Sequence, residues 1–204
     1  MGRVVKKGRE PQSVDDGRLR RSERSRELIA DALYELLGEG EIEPSAQKVA
    51  DRAGVGIRTV FRLFSDMDAL YATVNARLEF EVEPMLRESP SDGDARAART
   101  ESLINERVAV FEHVGVYIRF TNRNRDRSEF LASRYRKVTV RLRERLLHWL
   151  PELSTASPVL IEALDQAISF EAWDRLRNDQ RLSRRRAQAA VHLAADSLLK
   201  RLEG

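Results

Sequence analysis

Residues 45–71 read SAQKVADRAGVGIRTVFRLFSDMDALY, and the fold turns on how this stretch is read. Pro44-Ser45 opens a short helix whose Ala46, Val49, Ala50 and Ala53 face inward. Gly54 stands where a helix end wants a left-handed residue. A second short helix starts near Gly56 and ends around Phe64. Neither is long enough to be stable alone. Each can hold the other if Val49, Ala50 and Ala53 pack on Val55, Val60 and Phe64 around a tight turn at Gly54, which is the pattern of a helix-turn-helix. With Val60 and Phe64 turned inward, the opposite face presents Ile57, Arg58, Phe61 and Arg62. In a DNA major groove such a face has a purpose: arginine donates a bidentate pair to guanine, and isoleucine contacts a thymine methyl. Thr59, Ser45 and Lys48 would donate to phosphates, which set register without reading sequence. Gly56, at the start of the second helix, belongs to the same surface. The alternative is a helical hairpin whose arginines are merely solvated and whose Ile57 and Phe61 meet another part of the chain; periodicity leaves both open.

Working outward, a preceding amphipathic helix carries Leu28, Ile29, Ala32, Leu33, Leu36 and Leu37, with Ser22 as its expected N-cap and Gly38 and Gly40 at its end. Residues 1–21 lack apolar periodicity and read as a flexible arm. Downstream, Ser65 and Asp68 have the form of a capping box opening a fourth helix through Leu70, Val74, Leu78 and Val82. After a loop over 88–94 come long helical patterns near 95–121, 127–150, 157–178 and 183–202, separated by Asn122-Arg123-Asn124, Pro151 and Ser157-Pro158. No alternating strand pattern appears. The expectation is an all-α chain of about nine helices: an arm over 1–21, a three-helix helix-turn-helix DNA-binding domain over 22–66, and a helical ligand-binding and dimerisation domain over 67–204.

Composition narrows the classes. Without cysteine the chain forms no disulfide, thiolate metal site or cysteine nucleophile, which suits a cytoplasmic setting. No apolar run approaches the roughly 18 residues a membrane span needs. Lys plus Arg number 36 against 33 Asp plus Glu, so the net charge is only +3, yet Met1–Arg26 holds nine basic residues against four acidic ones. A basic arm before a folded unit suits a polyanion, although a solubilising tail would look the same. His113, His148 and His192 lie on different predicted helices and suggest no metal or catalytic cluster. No phosphate-cradling glycine loop, nucleophile elbow or dinucleotide fingerprint is present. No cofactor and no enzymatic activity are expected.

Ala53-Gly54-Val55, Gly56, Phe61 with Phe64, and Asp68-Ala69-Leu70 together resemble the DNA-binding domain of the tetracycline-repressor (TetR) family of transcriptional regulators. The likeness is closest over about Arg24 to Tyr71, and Phe170-Glu-Ala-Trp173-Asp-Arg-Leu176 resembles the family's penultimate helix. It departs at Phe61, where the family usually has tyrosine, and at Met67, where it usually has lysine, so a hydroxyl and a cation that would anchor phosphates are missing. The basic arm is expected to make up those contacts.

The resemblance implies a regulator, typically a repressor, that binds a pseudo-palindromic operator in double-stranded DNA as a homodimer and is released by a small-molecule effector. The family pairs its last two long helices across the dimer. Here Leu160, Leu164, Ala167 and Ile168 form one apolar stripe, and Ala187, Ala190, Val191, Ala194, Ala195, Leu198, Leu199 and Leu202 another. The same stripes would also suit packing within one subunit. Phe111, Val114, Tyr117, Ile118, Tyr135, Trp149 and Trp173 are candidate pocket lining, and Glu106, Glu112 and Glu171 candidate polar groups within it. Arg134, Arg136, Lys137, Arg141, Arg143 and Arg145 read as a solvated face. Two other classes fit the residues: an architectural DNA binder with little sequence preference, and a helical small-molecule-binding protein without a DNA function.

Overall fold

Serine and aspartate caps cut the chain into its helices. In a computed structural model, residues 14–86, 93 and 95–202 are described, with backbone alone for 14–18. Among these residues the chain is all-helical, without a strand: α1 Val14–Gly38, α2 Ala46–Ala53, α3 Ile57–Leu63, α4 Met67–Val82, α5 Arg96–Asn124, α6 Glu129–Trp149, α7 Pro158–Ala167, α8 Phe170–Asp174 and α9 Arg184–Leu199. Side chains of Ser45, Asp66, Ser128, Ser157, Ser169 and Ser183 each accept a backbone N–H from the first turn of α2, α4, α6, α7, α8 and α9 respectively. These bonds satisfy donors that have no partner inside the helix. No described helix is long and apolar enough to cross a membrane.

Three boundaries differ from the sequence expectation. α1 does not start at Ser22 but at Val14, and residues 14–21 contain no proline that would interrupt it. Residues 1–13 of the expected arm lie outside the described residues. The cap of α4 is Asp66 rather than Ser65: its Oδ1 accepts Ala69 N–H at 2.8 Å. Asp68 is one methylene shorter than the Glu or Gln of a capping box. It reaches α6 instead, accepting the Ser128 hydroxyl at 2.6 Å and Phe130 N–H at 3.1 Å. Finally, the helix expected over 157–178 is broken at Ile168–Ser169, where Ser169 starts a new one.

Two cores result. The first joins Ile29, Leu33, Leu36 and Leu37 of α1 to Val49 and Ala50 of α2, Val60 of α3 and Leu70 and Val74 of α4, and is closed by Tyr117 and Phe120 of α5 and Leu131 of α6. The second gathers Leu103, Ile104 and Phe111 of α5, Leu146 and Trp149 of α6, Leu164 of α7, Phe170 and Trp173 of α8, and Ala187, Val191, Ala195 and Leu199 of α9. α5 runs through both, and Ile118 packs against each.

Charge is also buried in the second region. Arg107, 2% exposed, donates to the carbonyls of Leu142 at 2.6 Å and Ile168 at 3.1 Å and pairs with Asp165 at 3.4 Å. Burial pushes its pKa down. Glu106 is buried against Arg145, and Glu112 accepts Trp173 Nε1 at 3.1 Å and Arg177 Nε at 2.8 Å. The Arg177 hydrogen bonds hold the Glu112 carboxyl below the usual range. The basic run of α6 is therefore only partly a solvated face: Arg134 pairs with Glu79 at 2.7 Å, Arg143 with Glu162 at 2.9 Å, and Arg145 with Glu106.

Candidate nucleic-acid interface

Gly54 has φ of 67°, and its N–H closes α2 on the carbonyls of Ala50 and Asp51. This is the left-handed stop that lets α3 turn back across α2; an L side chain would strain it. Gly56, at φ of −71°, merely precedes α3 in a conformation open to any residue. Within α3, Val60 and Leu63 are buried, as is Phe64 just beyond it. Arg58, Phe61 and Arg62, spaced i, i+3 and i+4, are exposed and share one face. Phe61 is 53% exposed. Ile57 and Thr59 are half-buried, and Ile57 packs against the first core, so less of it faces outward than the periodicity suggests.

The end of α3 is held from α1. Arg26 Nη1 donates to the Leu63 carbonyl at 2.5 Å, and its guanidinium lies over the Phe64 ring, 4.6 Å from the centroid. Arg26 was not among the sequence candidates, because its partners are 37 and 38 residues away and no local pattern links them. Met67, standing where a lysine was expected by resemblance, packs against the same core.

The cations of α2 and α3 differ. Lys48 Nζ pairs with Glu41, and its hydrogen bond holds the Glu41 carboxyl below the usual range. Arg52 forms a fork with Glu39 at 2.9 and 2.7 Å and sits 3.5 Å from Glu35; its hydrogen bonds lower the Glu39 pKa. Ser45 is exposed, and its hydroxyl oxygen accepts Lys48 N–H at 3.2 Å, leaving its proton to donate. Arg58 and Arg62, by contrast, make no hydrogen bond or ion pair among the described residues. The outer face of α3 thus carries the guanidiniums of Arg58 and Arg62, without a partner among the described residues, beside the exposed Phe61 ring.

Behind this unit, the end of α5 holds the α1–α2 loop: Asn124 Nδ2 donates to the Ile42 carbonyl at 2.8 Å, and Arg127 pairs with Glu43 at 3.3 Å. The seven pocket candidates do not gather at one place. Phe111, Trp149 and Trp173 fill the second core, and Val114 and Tyr117 the first. Ile118 lies between the cores, and Tyr135 lies under the Arg125 guanidinium at 3.9 Å. Aromatic residues at helical spacing are here filling the interior. A cavity of about 350 Å³ is lined instead by Arg119, Asn122, Arg123, Phe170, Glu171 and Asp174.

Of the stripes expected on the last helices, Leu164, Ile168, Ala187, Val191, Ala195 and Leu199 are buried within the chain, where α7 packs on α9 and α9 on α5. Leu160, Ala167, Ala190, Leu198 and Leu202 are half-buried, and Ala194 is exposed. Beside them Val159 and Leu193 are 76% and 70% exposed. No group of three or more metal-ligating side chains occurs among the described residues.

No protein-family model and no curated protein matches the chain. In three dimensions it is similar to a transcriptional regulator from Rhodococcus sp. Rha1 of known crystal structure, with a TM-score of 0.65 at 21% identity over 86% of this chain and 96% of that one. At that identity the likeness establishes a shared all-helical fold.

Proposed function

We propose that the chain is a sequence-specific DNA-binding transcriptional regulator of the TetR type that reads the major groove through α3. The observation that carries this reading is the outer face of α3. Arg58 and Arg62 there have no counter-charge among the described residues and flank an exposed Phe61, while the inner face is buried in a helix-turn-helix. Exposed arginine beside apolar surface suits guanine acceptors and thymine methyls. The three-dimensional likeness to a transcriptional regulator supports the same class of function. Lys48 is exposed, and its surface pair with Glu41 is weak enough to exchange for a phosphate.

One seven-residue helix contacts too few bases to select a site, so the working unit is a homodimer. Its interface is the part of α7 and α9 left open by the chain's own packing: Val159, Leu160, Ala190, Ala194, Leu193 and Leu198. Two recognition helices about 34–36 Å apart would read a pseudo-palindromic operator in the cytoplasm. The likeness of residues 24–71 to TetR regulators supports a repressor that a small molecule releases.

Selection of bound duplexes from a random DNA pool at near-physiological salt tests the reading. The expected winner is pseudo-palindromic and bound about a thousandfold more tightly than scrambled DNA. Weak, salt-sensitive binding with no enriched sequence would overturn it in favour of an architectural DNA binder.

A further inference from the structure

Where the last turns of α5 pass α8, the cavity of about 350 Å³ is open to solvent and lies apart from the surface of α3. Arg119, Asn122 and Arg123 face it from α5 at i, i+3 and i+4; Phe170, Glu171 and Asp174 face it from α8 at i, i+1 and i+4. The backbone there is unusual. α8 lasts five residues and then widens into a π-helical turn, Arg175–Asp179, in which Gln180 N–H reaches the Arg175 carbonyl at 2.9 Å. Such turns recur at functional sites.

The charges divide into a satisfied pair and an unsatisfied one. Arg119 is paired with Asp174 at 3.0 Å, and Asp174 also accepts Asn178 Nδ2 at 2.6 Å. Glu171 accepts only from neutral donors, Asn122 Nδ2 at 3.2 Å and the Tyr135 hydroxyl at 3.4 Å, and no cation pairs with it among the described residues. Arg123 makes no hydrogen bond or ion pair among them. One carboxylate and one guanidinium therefore lack counter-charges among the described residues at the rim of an open cleft, whose lining includes the largely buried Phe170.

We infer that this cavity binds a small zwitterion of amino-acid size, its ammonium on Glu171, its carboxylate on Arg123 and its side chain against Phe170. The fork of a guanidinium matches a carboxylate with two parallel hydrogen bonds. A dianion would be repelled by Glu171 and a dication by Arg123, so the lining selects a ligand carrying both charges. The cleft is open, so a ligand there stays partly in solvent and is held mainly by its two charges. The inference does not depend on DNA binding and is tested without DNA.

Isothermal titration of the full chain with each L-amino acid to millimolar concentration reads it directly, with acetate and ethylammonium as single-charge probes. At least one amino acid is expected to give a saturable heat that neither single-charge probe reproduces. Arg123→Ala and Glu171→Gln should each weaken that binding about tenfold while melting like the wild type, since both positions are exposed and glutamine still accepts from Asn122 and Tyr135. No saturable heat from any amino acid, equal binding of acetate or ethylammonium, or binding unmoved by both substitutions would overturn the inference.

Discussion

The buried and half-buried arginines of the helical bundle and the exposed arginines of α3 meet opposite fates. In the bundle, Arg107, Arg145 and Arg177 are fixed on carboxylates and carbonyls of neighbouring helices. On α3, Arg58 and Arg62 extend into solvent beside Phe61 with no protein partner among the described residues. A guanidinium keeps its charge in either place. What differs is whether its hydrogen bonds are spent on the fold or remain for something outside it, and arginine count alone is silent on that. α2 lies between these extremes, since Lys48 pairs with the half-buried Glu41 and Arg52 with the exposed Glu39, both at the surface where solvent weakens the pairing.

The contrast can be broken most severely at Arg107. Arg107→Ala leaves Asp165 and the carbonyls of Leu142 and Ile168 without their donor inside the second core. Because Asp165 can still reach water, a loss near the lower end of the range for a broken buried pair is expected, about 3 kcal/mol by urea denaturation. A loss below about 1 kcal/mol would place Arg107 with the surface arginines.

The opposite pattern is expected on α3. Arg58→Ala and Arg62→Ala should leave urea midpoints unchanged while each weakens specific DNA binding by about 1–3 kcal/mol in anisotropy titrations. Retained specific affinity would remove these two residues from the reading surface.

A smaller effect is expected where α3 meets α4. Asp66→Ala removes the cap of α4 and should cost about 1 kcal/mol of stability, with Ser65 adjacent but bonded to Asp66 rather than to the helix. Thermal melts of the single variant measure it.

The smallest effect expected is one of pH. Arg177 holds the Glu112 carboxyl below its ordinary value, so the pair contributes stability that is present above the unfolded pKa of about 4.3 and is lost as pH falls through the lower folded value. Glu112→Gln should flatten the acid limb of the stability–pH curve and leave the neutral region little changed. An unaltered acid limb would mean that Glu112 is not linked to folding.

Much of the molecule was legible as sequence. Periodicity and the Gly54 stop locate α2 and α3, the left-handed turn at Gly54 follows from its place at a helix end, and the apolar spacing turns Val60 and Phe64 inward, as the structure has them. Less legible were choices between adjacent candidates. Ser65 and Asp66 are both good caps, and Ile57 sits at the edge of the buried stripe, so a small rotation of α3 decides how much of it is covered. The α6 basic run looked uniformly solvated because its partners, Glu79, Glu106 and Glu162, lie on other helices.

That the chain is helical, where its short paired helices turn, and which face of α3 carries arginine all depend on neighbours within about one helical turn, so local pattern is enough to show them. Which arginines are spent on the fold, which residues of the α7 and α9 stripes stay exposed to solvent, and that Arg119 and Arg123 meet Glu171 and Asp174 around one cleft are set by how the helices pack. Those outcomes depend on where helices that are some fifty residues apart cross, and local periodicity carries no record of the crossing.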